Sequence, residues 1–117
     1  MNRFRLILAA AAAVALVTAA PGGAAATKLV ANVGPSATIT LTKAGKKVTS
    51  LKPGSYSITV NDKSTSHNFH LTGPGVNKLT TVNFKGTKTW TLTLKKGIYK
   101  YVCDPHKSFM KGSFRVA

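Results

Sequence analysis

The sequence predicts an all-β protein, an antiparallel β-sandwich or barrel of about seven short strands. Three observations carry that expectation. The runs "ATITLT", "SYSITV" and "TWTLTL" alternate apolar residues with Thr or Ser, the period of a half-buried strand. The stretches "KAGKK", "KPGS", "NDKS", "GPGVN" and "KKG" separate such runs with turn-forming residues. No window after residue 26 shows a helical period.

Taken in order, the chain opens outside that domain. "MNRFR" is cationic, "LILAAAAAVALVTAA" is an apolar run of 15 residues, and "PGGAAA" is small and flexible. This is the order of a secretory signal peptide. The run is short for a bilayer helix, which needs about 20 residues. Ala24 and Ala26 place the expected cleavage after Ala26. The expected organisation is a signal peptide over 1–26 and one domain over 27–117, exported to the periplasm, the cell surface or the medium. The mature form would then keep no transmembrane segment.

"KLVANV" is the expected first strand, and "ATITLT" follows with Ile39 and Leu41 inward. "SYSITV" points Tyr56, Ile58 and Val60 inward, and "TWTLTL" does the same with Trp90, Leu92 and Leu94. "GIYKYVC" puts Tyr99, Tyr101 and Cys103 on one face, and "GSFRVA" closes the domain with Phe114 and Val116 inward.

Charge narrows the partners. Residues 27–117 hold fourteen Lys and Arg115 against Asp62 and Asp104 alone, a net charge of +13. Such a field governs solubility and steering toward anions, not fold. The basic residues are spread evenly, with no nucleic-acid-binding motif. The expected partner of this exported, monomeric domain is an acidic protein or an anionic envelope surface, not nucleic acid.

Cys103 is the only cysteine. No internal disulfide can form, and a lone thiol in an oxidising compartment is open to oxidation unless something occupies it. The surrounding "YVCDPHKSFMKG" also holds His106 and Met110. Thiolate and thioether are soft ligands, and imidazole suits copper, zinc and iron. Two histidines and a cysteine with a weak axial methionine describe a blue-copper site.

The second imidazole has two candidates, both in "SHNFHLTG". Read as a strand, the segment puts His67 with Phe69 and Leu71 on the core face. Asn68, His70 and Thr72 fall on the other face. His67 is therefore the expected ligand, and His70 is expected to look toward solvent or a neighbouring strand.

These motifs resemble those of the cupredoxins, the blue-copper family that includes plastocyanin, amicyanin, pseudoazurin and azurin. "YVCDPHKSFMKG" is similar to their copper loop, and "SHNF" to their upstream element. The resemblance implies a Greek-key sandwich holding one copper ion that cycles between Cu(I) and Cu(II). It implies His67, Cys103, His106 and Met110 as ligands. It further implies that Asn68 braces the copper loop and that Pro105 matches the proline that often precedes the loop histidine. The spacing departs from plastocyanin in one place: three residues separate His106 from Met110, where plastocyanin has one more and amicyanin one fewer; azurin has the same number there but more between its Cys and His. Asp104 stands where Ser or Thr is common, and a carboxylate beside the metal would favour the oxidised state.

The implied function is single-electron carriage between redox partners, without catalysis. A copper buffer or delivery protein on the same fold would use the same ligands. A binuclear copper centre needs a second loop cysteine, and methionine is a poor zinc ligand. An enzyme with Cys103 as nucleophile and His106 as base would lack any visible orienting group. A metal-free adhesion sandwich would leave the coincidence of Cys, His and Met without a cause.

Overall fold

Alternation is expressed as two facing sheets. The computed structural model describes residues 25–117. Residues 1–24 of the expected signal peptide lie outside that range. Among the described residues no helix is long and apolar enough to cross a membrane.

The strands are β1 (Thr27–Val33), β2 (Ile39–Lys43), β3 (Lys46–Lys47), β4 (Ser50–Leu51), β5 (Gly54–Asp62), β6 (His70–Gly73), β7 (Val76–Leu79), β8 (Gly86–Leu94), β9 (Gly97–Val102) and β10 (Lys111–Val116). One sheet has the order β3-β2-β1-β5-β8, the other β4-β10-β9-β6-β7. The seven expected strands are all present in outline. The short β3, β4 and β7 are additional, and they fall in stretches too short or too polar to show alternation. Pairing is antiparallel except where β1 runs parallel to β5 and β4 parallel to β10.

The period-2 pattern becomes burial directly. In β5, Tyr56, Ile58 and Val60 are buried while the residues between them are more exposed. Leu29, Ala31 and Val33 of β1 join them, and Leu71, Tyr99, Tyr101, Phe114 and Val116 cover them from the other sheet. A fully buried large aliphatic or aromatic side chain of this kind contributes about 1.5–3 kcal/mol. Tyr99 stacks on Phe114 at 5.2 Å between ring centroids, and Tyr101 on Phe69 at 5.5 Å, inside the favourable range for aromatic pairs. Trp90 and Leu92 are only half-buried, because β8 is an edge strand with a neighbour on one side.

Two poles result. β5 ends at Asp62 opposite Gly86, and β9 ends at Val102 opposite Lys111. One pole therefore carries the loops 63–69 and 103–110. The opposite pole carries the turns at 44–45, 52–53, 74–75 and 95–96.

Candidate metal centre

The segment before β6 is not strand. After Asp62 the chain turns: Lys63 N–H donates to the Val33 carbonyl at 2.9 Å, and Ser66 N–H to Ser64 Oγ at 3.0 Å. His67, Asn68 and Phe69 are all buried, and β6 begins only at His70. Phe69 and Thr80 lock this segment in place. Phe69 N–H donates to Thr80 Oγ1, and Thr80 N–H to the Phe69 carbonyl, each at 3.0 Å. Gly34, with φ of +67°, lies against it. A Cβ there would sit 3.0 Å from Ser64 Cβ and 3.4 Å from the His67 ring.

Cys103 ends β9 and begins a tight loop. A 3₁₀ turn spans Asp104–His106, with Pro105 inside it. His106 N–H donates to the Cys103 carbonyl at 3.0 Å, and Met110 N–H to the His106 carbonyl at 2.9 Å. Cys103 N–H donates to the Met110 carbonyl at 3.0 Å and closes the loop. Just beyond, Gly112 opposes Tyr101, and a Cβ at Gly112 would clash with the phenol end of the Tyr101 side chain. That position needs glycine so that the tyrosine can lie flat across it.

Three donor atoms converge between the loops. His67 Nδ1 lies 3.1 Å from His106 Nδ1, Cys103 Sγ lies 3.5 Å from His106 Nδ1, and Sγ lies 3.7 Å from His67 Nδ1. A metal bonded to imidazole at about 2.0–2.1 Å and thiolate at about 2.3 Å separates such donors by roughly 3–4 Å. The triangle fits an ion at its middle. Cys103 is fully buried, His67 nearly so, and His106 half-buried. Met110 is buried beside Cys103 in the chain fold and is joined to it through the main chain.

Asn68 has its N–H and both ends of its side-chain amide engaged. Its N–H points at Cys103 Sγ at 3.5 Å. Its side-chain NH₂ donates to the Thr80 carbonyl at 3.1 Å and to Asp104 Oδ2 at 2.7 Å. Its Oδ1 accepts the Asp104 N–H at 2.7 Å. The alternation rule had turned Asn68 outward. It is buried instead, because residues 67–69 precede the strand. Its contacts with Asp104 tie this segment to the start of the loop after Cys103.

Of the two surroundings expected for His70, the ring takes the neighbouring strand: Nε2 lies 2.7 Å from Asn77 Oδ1 on β7. Nδ1 meets a partner that strand logic did not offer, Asp104, at 2.9 Å from Oδ1 and 3.1 Å from Oδ2. Burial opposes a charged ring here, but the hydrogen bonds with Asp104 and Asn77 prevail and raise its pKa. Burial would also raise the Asp104 pKa, and the hydrogen bonds from His70 and Asn68 outweigh it and hold that carboxyl below its usual value.

Asp62 was read from the sequence as part of a turn. It is the last inward residue of β5, buried, and accepts from Ser64 N–H at 3.1 Å and Thr80 Oγ1 at 3.4 Å. Burial raises its pKa against those contacts and the nearby His67. Extending the alternation of Tyr56, Ile58 and Val60 by one step would have found it. Thr80 carries no comparable sequence signal.

A β-sandwich with two imidazoles and a thiolate gathered at one pole defines a mononuclear soft-metal centre of cupredoxin type. Comparison with known proteins makes the class specific. Residues 43–117 match the family model of copper binding proteins, the plastocyanin/azurin family. The chain belongs to that family, and copper is its cofactor. Reduced rusticyanin shares the fold at a TM-score of 0.59, with 20% identity over 82% of each chain. Auracyanin from Roseiflexus castenholzii, in its dithionite-reduced form, aligns at 0.56 with 21% identity, covering 80% of this chain and 99% of its own. The Cu(I) form of an amicyanin mutant aligns at 0.52 with 19% identity, covering 80% and 86%. No curated protein sequence matches the chain.

Proposed function

We propose that this protein is an exported blue copper electron carrier, with His67, Cys103, His106 and axial Met110 as ligands. The observation that carries the reading is the triangle of Nδ1, Nδ1 and Sγ, with edges of 3.1, 3.5 and 3.7 Å. Bound copper would supply a one-electron couple between Cu(I) and Cu(II). The chain's own contribution is rigidity. Cys103 and Met110 are tied by a main-chain hydrogen bond, and Asn68 bolts their loop to the segment that carries His67. Donors held from two braced loops move little between oxidation states, which keeps reorganisation small.

His106 is half-buried, and Pro105 and Phe109 beside it are exposed, Phe109 by 60%. The His106 and Phe109 rings lie 5.4 Å apart. This small apolar surface is the proposed exit for the electron. The cationic surface would steer the protein, as a monomer, to an acidic redox partner or an anionic envelope surface. The role is transfer without catalysis, and the N-terminal 26 residues would direct export.

Copper titration of the purified protein tests the reading. One equivalent of Cu(II) should give an intense blue or green thiolate-to-copper band that reductant bleaches and oxidant restores. Cys103→Ser should abolish the band. Met110→Gln should keep the copper and shift the reduction potential, because the axial bond is weak and tunes the couple. Colourless binding of one Cu(II) would overturn the assignment. Stable copper binding without reversible cycling would favour a buffer instead.

A further inference from the structure

The chain has only two carboxylate side chains, Asp62 and Asp104. Both lie at the metal pole, although the rest of the surface is rich in lysine. Asp104 stands between two of the donor residues, directly after Cys103 and two places before His106. Whatever fixes Asp104 fixes the start of that loop.

Asn68 grips Asp104 from one side by a reciprocal pair of hydrogen bonds, both 2.7 Å. That grip alone would leave a carboxylate free to rotate about its own bond, since the asparagine donates to only one of its oxygens. His70 supplies the other contact. Its Nδ1 faces both carboxylate oxygens, at 2.9 and 3.1 Å. The ring is itself held from behind, with Nε2 at 2.7 Å from Asn77 Oδ1 on β7. Each ring nitrogen lies within hydrogen-bond distance of a side-chain oxygen, so the ring is held from two sides. The result is a chain of contacts from the edge strand β7, through β6, to the loop that holds the thiolate.

We propose that His70 is a positioning residue of the metal centre, which clamps Asp104 against Asn68 and so fixes Cys103 and His106 relative to His67. The inference rests on the copper reading above, but half of its test needs no copper. His70 touches no donor atom of the triangle. Its effect passes through Asp104 and the Asn68 bracket. Orientation of ligands by such outer hydrogen bonds is worth about 10–100-fold in metal affinity in other metal sites.

The first measurement uses copper-free protein. Cys103 is fully buried, so its alkylation by a small thiol reagent reports opening of the loop. His70→Ala should speed alkylation about tenfold or more. His70→Gln, which keeps one amide donor within reach of Asp104, should recover part of that protection. Asn77→Ala should have a smaller effect, because it loosens only the far support. Leu51→Ala, at the opposite pole, controls for general loss of stability, and it should speed alkylation much less than His70→Ala at matched stability. The second measurement uses copper-loaded protein. His70→Ala should shift the thiolate-to-copper band or its intensity ratio and speed copper loss to a chelator about tenfold. His70→Gln should again lie between.

Equal alkylation of wild type and His70→Ala would overturn the clamp. So would equal acceleration by His70→Ala and Leu51→Ala at matched stability, or an unchanged band in His70→Ala. If the wild type binds copper without a thiolate band, the function assignment fails, and the alkylation arm still decides whether His70 holds the loop.

Discussion

The two poles of the sandwich are built from the same strands and solve different problems. At the metal pole, buried and partly buried polar side chains are joined into one network. Asp62 meets Thr80, Thr80 meets Phe69 and Asn68, Asn68 meets Asp104, and Asp104 meets His70. At the opposite pole the turns carry exposed Lys43, Lys46, Lys52, Lys95 and Lys96 and no carboxylate side chain. There, separate tyrosine hydroxyls suffice, with no shared side-chain network between them. The Tyr99 hydroxyl donates to the Lys95 carbonyl at 2.9 Å and accepts the Lys95 N–H at 2.9 Å, which pins one turn. Fixing donor atoms in place takes buried polar groups, each costly unless every partner is present. Closing strands requires only tolerant turns.

The sharpest way to break this comparison is one truncation at each pole. Asn68→Ala strips partners from the Thr80 carbonyl, the Asp104 carboxylate and the Asp104 N–H. It should destabilise the copper-free protein by about 1–3 kcal/mol and weaken copper retention as well. Leu51→Ala should cost as much or more, about 2–5 kcal/mol for an aliphatic core truncation, yet leave the copper band in place. Denaturant titration and absorption spectra of the two variants decide it. If both variants lose the band in proportion to stability, the metal pole has no separate network.

That contrast also explains what was legible in the sequence. The core was, because alternation is a property of each strand alone: Tyr56, Ile58, Val60, Tyr99, Tyr101 and Phe114 are all buried as read. The gathering of His67, Cys103 and His106 was also legible, since two imidazoles and a thiolate in two short motifs leave few other arrangements. The parallel contacts of β1 with β5 and β4 with β10 were not, because register between distant segments leaves no local trace. The network behind the donors was read only in part. Strand logic turned Asn68 outward, and it failed because the chain at 67–69 is held by hydrogen bonds to Thr80 and Cys103 rather than by a ladder. The role of His70 depends on a loop 34 residues away.

Charge gives a smaller, graded test of the poles. Lys63, Lys85, Lys107 and Lys111 surround the metal pole, and all are exposed. Reversing Lys63 and Lys107 to Glu should slow oxidation of the reduced protein by ferricyanide, an anionic probe, several-fold at low salt. Reversing Lys43 and Lys52 makes the same change in net charge at the far pole and should slow it less. The gap between the two variants should close as salt rises, because screening acts over about 10 Å at 0.1 M ionic strength. Equal slowing by both variants would mean that only net charge steers the probe. That result would remove the metal pole's claim to be the docking face.

The smallest expected effect concerns pH and the His70 contact. The ring faces the Asp104 carboxylate and Asn77, with Lys107 near enough to oppose its charge. Despite burial and Lys107, the hydrogen bonds raise the His70 pKa above its ordinary 6.5. A raised histidine binds its proton more tightly in the folded state than in the unfolded state. Its stabilising contribution is therefore complete below pH 6.5 and disappears as pH rises through the raised value. Asp104, held below 3.8, stays charged across that window and supplies the same partner throughout. Its side chain is 37% exposed, so solvent screens the pair and the contribution should be ~1 kcal/mol or less. The measurement is the stability gap between copper-free wild type and His70→Gln, taken by denaturant titration at pH 6 and again at pH 9. The gap should be present at pH 6 and shrink by pH 9. A gap that is constant or grows with pH would show that His70 acts there as a neutral hydrogen-bonding group, with no ion pair to lose.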